Sequence, residues 1–373
     1  MSCDFLAMAA PGVRNLMPYQ PGKPESELRR ELGLSNIIKL ASNENPLGPG
    51  AAAAQAAAAT LSECARYPDG NGHELKSALA AHHGVDVACI TLGNGSNDVL
   101  ELLARAFCTP ADQVLFSAHA FAVYPLVAQA VGAEAVVAPA LGADQAMPYG
   151  HDLAAMADRI GHRTRLIFVA NPNNPTGTWI DAATLEAFVS VVPETCLVVV
   201  DEAYTQYAES CGVSSALDWL TRFPNLVVTR TFSKAYGLAG LRVGYSVSRP
   251  EVADLMNRVR QPFNVNLPAQ AAATAALADT AHLARSVELN NVQRARLTEA
   301  GHERGLDSLP SAANFLCLDM GRTAQPIFQA MLKRGVIVRP VANYGLPNHL
   351  RVTVGTEPEN TRFIQVLDEA LTL

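Results

Sequence analysis

"NLVVTRTFSKAYGLAGLRVGYSVS" (residues 225–248) sets two apolar runs around a glycine-rich turn. The first run, residues 225–234, reads as a strand ending on Ser233 and Lys234. The second, 241–248, reads as another strand, with Arg242 at its start. Ala235, Gly237, Ala239 and Gly240 keep the intervening turn small, and a glycine, lacking Cβ, lets another chain segment or a ligand approach closely. Read alone, Lys234 is either a solvated surface charge or a reactive amine held against a flat ligand.

The same grammar repeats upstream. Residues 88–96, 113–118, 134–140, 164–172 and 196–204 read as short strands. Residues 97–108, 121–132, 151–161 and 181–193, which lie between them, carry helical periodicity. With the two strands of the opening stretch this makes seven. Short apolar strands alternating with helices predict an α/β domain with a mostly parallel sheet covered on both faces. Such sheets carry their ligand loops at the carboxyl ends of the strands. Before them, 37–50 reads as a short strand running into a Pro/Gly loop, and 51–67 and 72–85 as helices. After residue 250 the helices lengthen (250–260, 268–279, 282–301) and strands return at 314–320, 336–340 and 349–355, which reads as a smaller α+β domain. The expected division is a large domain of residues 36–260 and a small domain formed by 1–35 and 261–373.

The chain's 373 residues suit two domains, and 49% apolar against 17% charged residues fits a globular enzyme with a large core. A net charge of −7 offers no footprint for nucleic acid. No apolar run approaches the ~20 residues that cross a bilayer, so no membrane association is expected. The N-terminus lacks a basic segment ahead of its apolar part, which argues against a signal peptide. Seven scattered cysteines without a C-x-x-C pair predict neither a zinc site nor a disulfide framework and favour a reducing cytoplasm.

Four strand ends carry unusual chemistry. "LGNGSND" (92–98) is glycine-rich and opens a helix, an arrangement that suits phosphate. It lacks the full dinucleotide-binding spacing, and a plain strand–helix turn fits it equally. "NPNNPTG" (171–177) has two Asn-Pro steps that force a defined turn and aim Asn174, as an Asx turn or toward a ligand. In "VVVDEAY" (198–204), Asp201 ends an apolar strand, where a carboxylate needs a cation or donors unless it caps a helix. Ser233, Lys234 and Arg242 form the fourth.

Phosphate cradle, amide, carboxylate and lysine, in this order, resemble the fold-type I pyridoxal-phosphate enzymes. With "LASNENPLGP" (40–49), "RYPDG" (66–70) and "LRVTVGT" (350–356), the chain resembles class I/II aminotransferases over nearly its whole length, and within them the branch acting on histidinol phosphate. The resemblance implies pyridoxal 5′-phosphate as cofactor. It implies that Lys234 carries the cofactor as a Schiff base and then moves the substrate's proton. Asp201 would pair with the pyridine nitrogen, and Asn174 and Tyr204 with the ring oxygen. The phosphate would be held by Gly95, Ser96, Asn97, Ser233 and Arg242. "HAFAVY" (119–124) places Phe121 where an aromatic ring stacks on the cofactor, without the hydroxyl of the commoner tyrosine. Tyr67 matches a residue that reaches the phosphate of the other subunit, which implies a homodimer with shared sites. Arg351 would hold the carboxylate or phosphate end of the substrate, Arg339 would be a second phosphate ligand, and Tyr19 would fold over the substrate. The implied substrates are histidinol phosphate with 2-oxoglutarate, or glutamate with imidazole-acetol phosphate. Aromatic-amino-acid aminotransferases and threonine-phosphate decarboxylases share the same framework.

Overall fold

A computed structural model of the chain describes residues 3–19 and 22–372. In chain order its strands are β1 (Ile38–Lys39), β2 (Ile90–Gly93), β3 (Gln113–Ser117), β4 (Glu134–Ala138), β5 (Thr164–Ala170), β6 (Leu197–Asp201), β7 (Leu226–Thr231) and β8 (Gly244–Val247). There follow β9 (Asp307–Ser308), β10 (Phe315–Asp319), β11 (Val336–Ile337), β12 (Arg339–Val341) and β13 (Leu346–Thr353). The seven strands expected in the first two-thirds of the chain form one sheet in the order β2-β8-β7-β6-β5-β3-β4. All its pairings are parallel except the two made by β8, which runs against both neighbours.

Alternation explains the continuous apolar runs. Along the central strands Val114, Phe116, Leu166, Phe168, Val199 and Val227 feed one core, while Leu115, Ile167, Val169, Val198, Val200 and Val228 feed the other. The first core is closed by the helices Ser96–Phe107, Val123–Ala130 and Pro250–Val259. The second is closed by Leu153–Ala157 and Ala182–Val191. Each fully buried aliphatic side chain adds about 1.5–3 kcal/mol, and this double burial makes the sheet a rigid floor.

The C-terminal body is an antiparallel sheet ordered β12-β13-β10-β9. The helices Ala324–Lys333 and Glu357–Leu371 and the end of the long helix Thr280–His302 pack against it. The run 336–340, read as one strand, is divided: Val336–Ile337 pairs with β1 and Arg339–Val341 with β13, whose register shifts at Pro340. The helix expected over 51–67 ends at Ala59, where Thr60 turns its hydroxyl back onto the Ala57 carbonyl (2.8 Å).

Two elements near the expected boundaries at 36 and 260 pack across them. Ile38–Lys39 belongs with the C-terminal body through its parallel pairing with β11. Helix Leu267–Ala278 packs instead on Ala51–Ala59 and His73–His83, beside the large sheet. The physical reason is its face of alanines, Ala269, Ala272, Ala273 and Ala276, which fits the equally small face opposite. We propose that the change between bodies falls within helix Thr280–His302. Its first half touches Gly48 and Asn45 through His282 and Ser286, and its second half packs on β9 and β10.

Candidate active site

A cavity opens at the carboxyl ends of β5, β6 and β7, and the C-terminal sheet closes its far wall. Its near end is built for an anion. Helix Ser96–Phe107 points its first turn at the cavity through Ser96 and Asn97, with unpaired N–H groups and the positive end of its dipole. Gly95 precedes it at φ 83°, and a Cβ there would fall 2.3 Å from Nη2 of Arg242. Arg242, itself left-handed at φ 57°, donates from Nη1 to Ser233 Oγ (3.2 Å) and to the Ala239 carbonyl (3.1 Å). The turn between β7 and β8 is as tight as its composition suggests: a Cβ on Gly237 would overlap the Gly48 carbonyl oxygen at 2.0 Å.

Asp201 ends β6 at the bottom of the cavity. Its Oδ2 accepts from the Tyr124 hydroxyl and its Oδ1 from Thr229 Oγ1, each at 3.0 Å. Burial raises its carboxyl above the usual range, and these donors pull it back. A cation placed against the carboxylate would lower it further. The Tyr204 hydroxyl accepts from Asn43 Nδ2 (2.9 Å), and Asn43 is fixed at φ 57° by two hydrogen bonds with Thr353.

Lys234 reaches into the same space. Nζ donates to the Ser42 carbonyl (3.1 Å) and sits 5.7 Å from the centre of the Tyr204 ring. Desolvation first, and the charge of Arg351 second, lower this amine to about 7. It is therefore substantially neutral, and nucleophilic, near neutral pH.

The far wall carries two arginines. Arg339 and Arg351 are direct cross-strand partners on β12 and β13, so both project from one face of the sheet, and both line the cavity. Arg351 donates to Asn174 Oδ1 (2.5 Å) and to the Ala41 carbonyl (2.6 Å), while its buried Nε has no hydrogen-bond partner among the described residues. Like charges directly opposite on a sheet repel, and an anion between them relieves that repulsion.

A profile of the family Aminotransferase class I and II matches residues 35–367. The chain is 57% identical, over 373 residues, to histidinol-phosphate aminotransferase 2 of Pseudomonas fluorescens, covering 100% of this chain and 99% of that one. It is 56% identical to the protein of the same name from Pseudomonas aeruginosa, with 99% of each chain covered. The chain belongs to the class I and II aminotransferases. A crystal structure of the histidinol-phosphate aminotransferase of Sinorhizobium meliloti, in complex with pyridoxal-5′-phosphate, superposes with a TM-score of 0.88 at 29% identity, over 98% of this chain and 97% of that one.

Of the residues that resemblance to this aminotransferase family singled out, Ser96, Asn97, Phe121, Asn174, Asp201, Tyr204, Ser233, Lys234, Arg242, Arg339, Arg351 and Tyr19 all line this one cavity. Gly95 lies behind the wall and shapes it. Tyr67 is not brought there. It is 81% exposed and stacks on Phe263, ring centres 4.6 Å apart, beside a second surface depression. Sequence reasoning missed Tyr124, Thr229, Asn43 and Ser42. Tyr124 stands inside the quoted "HAFAVY", on a helix whose apolar face conceals it as core. Thr229 alternates with the buried valines of β7. Asn43 and Ser42 lie inside "LASNENPLGP", where a positive φ at Asn43 could not be read.

Proposed function

We propose that this aminotransferase interconverts histidinol phosphate and 2-oxoglutarate with imidazole-acetol phosphate and glutamate, as in L-histidine biosynthesis, with pyridoxal 5′-phosphate as cofactor. The observation that carries the substrate reading is the cross-strand pair Arg339–Arg351 on the cavity wall. Two planar cationic forks suit a phosphate dianion in one half-reaction, and in the other a carboxylate of glutamate would rest mainly on Arg351. The near-complete coverage by relatives named for that activity supports it.

The residues present fit the cofactor. The helix N-terminus, Ser233 and Arg242 form a cradle that a single Cβ at Gly95 would obstruct, and their donors suit a phosphate. Asp201, fixed by Tyr124 and Thr229, would hold a protonated ring nitrogen. Asn174 and Tyr204 would donate to the ring oxygen, and Phe121 would cover a ring face. When bound, the cofactor supplies an electron sink for the bond broken at the substrate's Cα.

The chain does the rest. Lys234 would hold the cofactor covalently, and its freed amine, set at about 7, would take the proton from the substrate's Cα and return it in the reverse direction. Arg351 and Arg339 orient the anionic ends, and Tyr19, half-exposed at the mouth, covers the substrate. We further propose a homodimer in which Tyr67, outside its own chain's cavity, completes the partner's phosphate site. A cytoplasmic location is in keeping with its seven free cysteines.

The test is a panel of amino donors. Histidinol phosphate is expected to discharge the cofactor's absorbance with a higher kcat/KM than phenylalanine or threonine phosphate. A preference for phenylalanine would overturn the substrate reading. Borohydride should fix the cofactor to Lys234 in wild type and to nothing in Lys234→Ala, and a label at another lysine would overturn that role.

A further inference from the structure

Beneath the cavity, on the opposite face of the same strands, lies a buried polar cluster that the chemistry above does not use. Alternation turns Asp201 toward the cavity and Glu202 away from it; on β7 it turns Thr229 and Thr231 toward the cavity and Arg230 away. Glu202 is 3% exposed and Arg230 6%. Glu202 Oε2 accepts from Arg230 Nε (3.0 Å) and Nη2 (2.7 Å). Its Oε1 accepts from the Ala216 backbone N–H (2.7 Å), and Ser215 Oγ lies 2.9 and 2.8 Å from the two oxygens. Arg230 faces Tyr245 across the β7–β8 register, and the Tyr245 hydroxyl meets His83 Nε2 at 2.7 Å. Burial holds His83 down at about 3, so it stays neutral.

The position of this cluster gives it a use. The β6–β7 register ends at Asp201 opposite Thr229, and the last backbone tie is Glu202 N–H to the Thr229 carbonyl (2.9 Å). Beyond it the two segments part, one toward Tyr204 and the other toward Ser233 and Lys234. A buried ion pair generally adds little to stability over apolar residues of equal volume, so stability alone is a weak reason for it to lie here. We propose that Glu202 and Arg230 are positioning residues. Their pairing clamps the underside of the two strand ends and so fixes the spacing between Asp201 and the Ser233–Lys234 turn. This rests on the aminotransferase reading, which the cofactor band and turnover of wild type test separately.

The experiment compares wild type with Glu202→Gln, Arg230→Lys and the double variant Glu202→Gln/Arg230→Met. The double variant leaves no buried unpaired charge, and it decides the matter if a single variant fails to fold. The readouts are urea unfolding of the apoprotein, cofactor affinity by fluorescence titration, the pH midpoint of the bound cofactor's absorbance, and kcat and KM. A misplacement of about 1 Å costs up to ~100-fold in rate, so the double variant should lose roughly 10- to 100-fold in kcat. Its donor KM should hardly change, because the substrate arginines stand on the other body. The absorbance midpoint should move, cofactor affinity should fall, and Arg230→Lys should recover part of each. A folded double variant with wild-type kcat and absorbance midpoint would overturn the proposal, as would losses that only track a smaller folded fraction.

Discussion

Replacing Lys234 by methionine should stabilise the apoprotein. The substitution keeps the length of the side chain and removes an amine that folding strips of water. In the unfolded chain that amine keeps its proton up to its ordinary value of 10.5, while in the folded cavity it releases it at about 7. Between these values the unfolded state binds more protons, so wild-type apoprotein gains stability as pH rises through this window. At neutral pH the wild type still carries nearly the whole cost. At about 1.4 kcal/mol per pKa unit this gives an upper bound of ~5 kcal/mol. The tip of the lysine faces the cavity, and its bond to the Ser42 carbonyl is lost with it, so roughly 2–4 kcal/mol should remain. Urea unfolding of both apoproteins, at one protein concentration and at pH 7, 8, 9 and 10, measures this. The variant should be the more stable at pH 7, and its advantage should shrink toward zero by pH 10. An advantage that does not change with pH, or a variant less stable at pH 7, would refute the reasoning.

Tyr124→Phe removes one of the two side-chain donors to Asp201, so the carboxyl should rise further and lose its charge at a higher pH as the solution is acidified. Because a hydrogen bond to a charged group is worth ~1.5–3 kcal/mol, cofactor affinity by fluorescence titration should fall about tenfold or more, with the largest loss on the acid side. Arg339→Ala should weaken kcat/KM for histidinol phosphate by roughly 10- to 150-fold while sparing the glutamate half-reaction, and equal loss on both would make it a general structural residue. Mixing Tyr67→Ala with Lys234→Ala chains should give more activity than the two separately, since one site of each mixed dimer is then intact; strictly additive activity would exclude shared sites.

The large sheet was legible because its central strands are buried on both faces. Runs such as Leu166–Val169 and Val198–Val200 have no polar residue to blur their ends, and unusual chemistry follows each. Lys234, Asp201 and Asn174 are therefore legible at or just past strand ends in the sequence itself. What escaped was whatever depends on two distant segments meeting. Tyr124 looks like helix core until its hydroxyl is seen against Asp201, 77 positions away. Arg339 and Arg351 stand at separate places in the sequence, and only the register of β12 and β13 makes them neighbours. The packing of Leu267–Ala278 escaped for the same reason, since its alanine face does not reveal which small face it will meet.

The charges around the cavity support one another. Three arginines, Arg242, Arg339 and Arg351, line it with the largely neutral Lys234, and Asp201 is the one carboxylate among the described lining residues. Such a site favours ligands that bring negative charge at both ends, a phosphate at the helix end and an anionic substrate at the arginine wall. The same arrangement couples binding to proton transfer. Arg351 is the second cause, after desolvation, of the lowered Lys234 amine. An anion seated on Arg351 offsets that charge, so the freed amine becomes a stronger base when substrate is in place. In the apoprotein, desolvation and then Arg351 favour the neutral, nucleophilic amine, and with an anion on Arg351 the amine's proton affinity would rise toward what the proposed abstraction at Cα requires. On the proposed role of Arg351 in seating the substrate, Arg351→Gln should alter the pH dependence of turnover as well as KM, because its charge is one of the causes of the lowered Lys234 amine.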